Sequence, residues 1–75
     1  MKFKIGDRVI VRRVVQGDIE KWKWVIGFKG EISEVIKSKR DPYLVRLDNP
    51  KLGTEGGVFF GEEELEKLEK QMMIE

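Results

Sequence analysis

Short stretches of alternating apolar and charged residues, each cut off by glycine, proline, asparagine or aspartate, set the rhythm of this chain. Arg8-Val-Ile-Val-Arg-Arg-Val-Val15 is β-branched and poor in helix formers, so it reads as a strand, with Val9 and Val11 sharing one face. Gly30 to Ser38 is a second strand, with Ile32 and Ile36 inward on the period of two and Val35 near an edge or bulge. Tyr43 to Asp48 alternates most clearly: Tyr43, Val45 and Leu47 face one side, Leu44 and Arg46 the other. Val58-Phe59-Phe60 is a short fourth strand. Gly6-Asp7, Lys39 to Pro42, Asn49-Pro50 and the glycine-rich stretch 51–57 supply the turns and one flexible loop.

The end of the chain supports two readings. Glutamates in a first turn, Glu63/Lys67 and Glu66/Lys70 at i,i+4, and Leu65, Leu68 and Met72 on one stripe suit a helix over 62–73. A tight turn and a fifth strand near 65–69 is the other. With the second reading, strands fall near 8–15, 30–38, 43–48, 57–60 and 65–69. Their inward residues are Val9, Val11, Ile32, Ile36, Tyr43, Val45, Leu47, Val58, Phe60 and Leu65. Several short strands with Gly/Pro turns predict an all-β barrel or small sandwich, and closing a barrel hides sheet edges.

Length and composition narrow the classes. At 75 residues the chain holds one domain, with its core over 5–69 and a short polar tail over 70–75. Cysteine and histidine are both absent, which removes disulfide staples, thiol nucleophiles, imidazole bases and the usual zinc ligands together. No signal-peptide pattern or run of about 20 apolar residues occurs, so a soluble, cytoplasmic, monomeric protein with no membrane contact is expected. Residues 1–46 carry 12 Lys/Arg against 6 Asp/Glu, and residues 47–75 carry 3 against 8. The two parts either form separate patches or pair across the fold.

Gly6-Asp7-x-Val9-x-Val11, followed by Gly27-Phe28-Lys29-Gly30-Glu31-Ile32-x-x-Val35, resembles the opening of SH3-like barrels, including KOW domains that bind RNA or the transcription and translation machinery. Pro42-Tyr43-x-Val45-Arg46-Leu47-Asp48 and Phe60-Gly61-x-x-Glu64-Leu65-Glu66 resemble the electron-transport accessory barrels. These are the small stromal subunit of photosystem I, the smaller chain of ferredoxin–thioredoxin reductase and the β-subunit of nitrile hydratase. The resemblance implies a single five-stranded SH3-like barrel with a long first loop, and it favours the fifth strand over the helix. It further implies a docking role against a larger subunit or a small acidic protein.

The chemistry-bearing candidates cluster in and beside that loop. Lys21-Trp22-Lys23-Trp24 holds both tryptophans of the chain. An extended backbone would put Trp22, Trp24 and Ile26 on one face and Lys21, Lys23 and Val25 on the other. Trp24, nearer the turn that rejoins the barrel, is expected to cover the core. Trp22, between two lysines at mid-loop, is expected to contact a partner, since tryptophan is enriched at binding hot spots. Arg12, Arg13, Lys37, Lys39 and Arg40 could form a basic face beside the loop, and Arg46 is expected to pair with Asp48 or a tail glutamate. The partner expected is a protein; a nucleic acid, held through its phosphates, is the alternative. Glu62, Glu63 and Glu64 follow one another and diverge, and no phosphate loop appears, so neither an enzyme nor a cofactor or metal is expected.

Overall fold

The computed structural model describes residues 2–15 and 17–68. The fold is all-β: five antiparallel strands in one curled sheet form a half-barrel. The strands are β1 (Arg8–Val11), β2 (Lys29–Val35), β3 (Tyr43–Leu47), β4 (Val58–Phe60) and β5 (Leu65–Lys67), in the spatial order β4-β3-β2-β1-β5. Both outer strands are three residues long, which leaves little unpaired edge.

Strict alternation in β3 gives the burial its sequence predicts. Tyr43, Val45 and Leu47 are buried, Leu44 is half-buried and Arg46 is exposed. Val9 and Val11 from β1, Ile32 from β2, Phe60 from β4 and Leu65 from β5 complete the inner face. Val58 is half-buried against the same cluster. Gly30 sits where β2 passes closest to β3: a Cβ there would stand 2.5 Å from the Arg46 carbonyl oxygen, so no larger residue fits without moving the backbone.

The second strand departs from its expected period. A register shift between Ile32 and Glu34 marks a bulge at Ser33, whose hydroxyl donates to the Leu44 carbonyl at 3.2 Å. One extra residue inverts the alternation, so Val35 turns toward the core and Ile36, expected there, does not. The strand ends at Val35, and the Ile36 amide bonds the Pro42 carbonyl across the turn.

Strand β1 is also shorter than expected. The Val11 carbonyl receives the Gly27 amide, and the Arg12 and Arg13 amides turn away to the Glu64 carbonyl, at 2.9 and 3.4 Å. Residues 12–15 therefore close onto the chain's second half instead of lengthening the ladder. Glu62–Glu64 forms a single 3-10 turn and Leu65–Lys67 pairs with β1 in the register Val9↔Lys67 and Val11↔Leu65. That corrects the helical reading over residues 62–68; residues 69–75, with the expected polar tail, lie outside the described residues.

Two residues of the hydrophobic core, Phe3 and Val25, lie outside the expected set. Phe3, ahead of residue 5, packs its ring edge-on to Tyr43 at 5.2 Å, and the Tyr43 hydroxyl accepts the Lys2 and Phe3 amides at 3.0 and 3.3 Å. Val25, from the middle of the first loop, has no exposed surface.

Candidate functional site

The first loop is helical where an extended chain was expected. Asp18 caps a single turn, α1 (Ile19–Trp22), with its Oδ1 accepting the Lys21 amide at 3.2 Å. A 3-10 turn, Lys23–Val25, follows directly. Helical winding, unlike extension, does not send alternate residues to opposite sides. Val25 therefore plugs the core, while Ile26, expected to side with the tryptophans, is 46% exposed. Gly27, at φ +94°, and Phe28 return the chain to β2, with the Phe28 amide on the Val25 carbonyl at 2.9 Å.

That winding stacks the two tryptophans on each other, ring centroids 6.1 Å apart and planes 30° from parallel. Trp24 continues inward, edge-on to Phe28 at 5.3 Å, and packs against the core. Trp22 is half-buried and lines two depressions.

The first depression is shared with the glycine-rich loop over 51–57. Lys51, Leu52 and Thr54 line it together with Lys21, Trp22 and Trp24. Thr54 is buried and ties the segment down: its hydroxyl donates to the Lys51 carbonyl at 2.7 Å, and its amide bonds the same oxygen at 2.9 Å. The Lys51 ammonium lies 4.5 Å from the Trp24 ring centroid, and that of Lys21 lies 5.8 Å from Trp22. Leu52 stands 95% exposed beside them. Leucine isolated among glycines was the one sequence signal for this part of the surface.

The other basic candidates are largely engaged within the chain. Arg12 pairs through Nε with Glu66, and Arg13 donates Nη1 to the Glu63 carbonyl at 2.6 Å. Arg8 makes a two-pronged pair with Asp48, one prong 2.9 Å long; Asp48 is thus taken by Arg8 and not by Arg46, whose register partner on β2 is Glu31. Lys67 reaches Asp7 at 3.8 Å. Arg8–Asp48 and Arg12–Glu66 thus join the basic first part to the acidic second part across the fold, while Lys67–Asp7 runs the opposite way. Of the remaining candidates, Lys23 pairs locally with Glu20 at 3.0 Å, Lys37 lines a separate shallow depression with Phe3 and Ile5, and Lys39 lies over the Phe59 ring. Arg40 is exposed in the turn before β3 and has an interaction of its own.

Hydrogen bonding sets the acidity of the paired groups. The Arg8 guanidinium holds the Asp48 carboxyl below its ordinary value, and Asp48 in turn raises Arg8. Arg12 lowers Glu66 in the same way, first by its hydrogen bond and then by its charge. All four side chains are solvent-facing, which makes these surface closures.

The second depression, a cleft of about 270 Å³, has a different chemistry. Trp22, Phe59, Phe60 and Val14 supply apolar wall, and Asp41 and Glu64 supply carboxylates. Glu64 is only 3% exposed, and both its oxygens are used: Oε1 accepts the Gly61 amide at 2.8 Å and Oε2 the Val15 amide at 2.9 Å. Asp41 Oδ1 is shut off from solvent and has no hydrogen-bond partner. Among the described residues no three His, Cys, Asp or Glu side chains converge as a metal ion would require, and no helix is long and apolar enough to cross a membrane.

No family model, curated protein or solved structure matches this chain. The meaning of the site rests on its own geometry.

Proposed function

We propose that the protein is a non-catalytic docking module of the cytoplasm that engages another protein through the surface formed by Trp22, Trp24, Lys21, Lys51 and Leu52. One observation carries this reading. Leu52 is 95% exposed beside a stacked tryptophan pair with a lysine over each ring. A bare leucine gains nothing from water, and a partner that covers it also covers the tryptophans, the residue type that most often dominates protein interfaces. The two ammonium groups favour an acidic rim on that partner. Resemblance to SH3-like accessory barrels supports docking against a larger subunit or a small acidic protein. Arg12 and Arg13, being engaged with the segment 63–66, belong to the scaffold in this reading.

A photo-crosslinking residue at position 52, with one at exposed Glu34 as the control, tests it in the protein's own cells. The expected result is a discrete adduct from position 52 alone, resistant to nuclease and lost when Trp22→Ala is added. An adduct that nuclease destroys transfers the surface to a nucleic acid, and identical patterns from both positions overturn docking there. A nucleic-acid partner would also weaken steeply and linearly in log Kd with log salt, whereas the protein interface should respond only moderately.

A further inference from the structure

The cleft lined by the first loop and β4 is chemically unlike the docking surface, with which it shares Trp22. No lysine or arginine is among its described lining residues, although Lys39 lies over the Phe59 ring and Lys21 over Trp22, and it contains two carboxylates. Glu64 spends its oxygens on two backbone amides, so its geometry is fixed by the fold. Asp41 is the anomaly. A buried carboxylate oxygen without a donor is strongly disfavoured, because it has given up water and received nothing in return. Natural chains keep such groups rarely, and each one calls for a cause.

Several features together identify what would satisfy it. The missing group is a hydrogen-bond donor, since an ionised carboxylate only accepts. It is a cation, since two carboxylates and the faces of aromatic rings all attract positive charge. The Phe59 ring already carries one ammonium, that of Lys39, 4.0 Å from its centroid. Size sets a further limit: about 270 Å³ falls just under the ~300 Å³ at which drug-sized ligand pockets begin, room for one side chain or a small amine. Asp41 lines the cleft, and its orphan oxygen, shut off from solvent, reaches a donor there only by rotation about the soft Cβ–Cγ bond.

We propose that this cleft binds an alkylammonium group, of the kind carried by a lysine side chain or a small free amine, with the cation against Trp22 and Phe59 and an N–H donated to Asp41. The site does not rest on the docking role assigned to Lys51 and Leu52, which do not line it. It also discriminates by hydrogen count. A quaternary ammonium offers charge but no N–H, and leaves Asp41 Oδ1 unsatisfied.

Titration of the full chain, followed by its backbone and indole N–H signals, tests this with n-butylammonium chloride at constant ionic strength. Saturable shifts are expected at Val14, Gly17, Asp41, Glu64 and the Trp22 indole. Tetramethylammonium and the neutral isostere n-butanol should each bind at least tenfold more weakly. Asp41→Asn should weaken n-butylammonium at least tenfold while the spectrum stays folded, and Trp22→Leu should weaken it about fivefold should Asp41→Asn prove insoluble. Blocked Gly-Lys-Gly binding tighter than n-butylammonium would assign the site to a peptide side chain, and the reverse order to a free amine. Linear, unsaturated shifts, equal affinity for n-butanol, or an unaltered Kd in both variants would overturn the proposal.

Discussion

Strand β3 and the tryptophan loop both send a side chain with no solvent exposure to the centre of the half-barrel, Tyr43 from one and Val25 from the other. They are held there by different means. Tyr43 lies in a ladder bonded on both sides, opposite Val35 on β2 and Phe60 on β4, and its hydroxyl fastens the N-terminal arm. Val25 sits in a loop whose hydrogen bonds are mostly its own: Trp22 to Asp18, Lys21 to the Asp18 side chain, Ile26 to Lys23. Among the described residues, only the Gly27 amide on the Val11 carbonyl and the Val11 amide on the Phe28 carbonyl tie this segment's end to β1. The strand is fixed by its neighbours and the loop by local winding, so the loop can vary, and carry a binding surface, without disturbing the sheet.

The largest expected effect separates the two kinds of anchor. Tyr43→Ala removes a buried ring and the acceptor for two amides, and should cost about 3–5 kcal/mol, enough to unfold a small domain. Val25→Ala removes two methyl groups from an equally buried place and should cost about 2 kcal/mol, leaving the domain folded. Urea unfolding of both variants checks the order. Were Val25→Ala to change the midpoint no more than a surface substitution does, the loop would be a detachable lid and not part of the core.

How far each region could be read in advance follows from the same difference. In β3 a period of two is fixed by the backbone itself, so Tyr43, Val45 and Leu47 are legible as the inner face from their spacing. An edge or bulge is expected near Val35, but its place at Ser33 is not legible, because adding one residue to β2 depends on how β3 lies beside it; spacing therefore points to Ile36 where Val35 is the residue that packs inward. Lys21-Trp22-Lys23-Trp24 fits an extended strand and a helix equally well as a short string. Asp18 was the signal for the helix, three residues ahead of the amide that its side chain caps. Lys51 and Leu52 join the tryptophans only through the tertiary fold, and no local pattern marks Asp41 as a carboxylate left without a partner.

Within the loop, the two tryptophans sharpen the comparison at smaller scale. Trp24 packs on Phe28 and the core, so Trp24→Ala should cost about 2 kcal/mol, less than the ~3–5 of a fully buried ring because Trp24 is only partly buried. Trp22 stacks on Trp24 and otherwise borders the two depressions, so Trp22→Ala should cost under about 1 kcal/mol. Thermal melts of the two variants measure the difference. Equal melting temperatures would mean that the pair acts as one unit, and the division into a core ring and a contact ring would fail.

The smallest effect is that of acid, and it should fall on the sheet before the loop. Arg8–Asp48 and Arg12–Glu66 bind β1 to the far end of β3 and to β5, whereas the loop's own pair, Lys23–Glu20, is local. Asp48 and Glu66 are both lowered in the folded chain. A carboxyl lowered by folding stabilises the folded state fully above its unfolded value, and loses that contribution as pH falls through the lowered one. Stability should therefore be level near neutrality and decline below about pH 4, where unfolded carboxyls take up protons. The raised Arg8 adds nothing to this slope, because a guanidinium stays charged throughout. Solvent screens both exposed pairs, so the decline they cause should be shallow and shallower still in high salt. Paired Asp48→Asn and Glu66→Gln substitutions should flatten it, and amide exchange on lowering the pH from 5 to 3 should quicken in β1 and β5 more than over residues 19–25. Faster opening of the loop than of β5 on acidification would place the acid-sensitive contacts in the loop and reverse the division of labour drawn here.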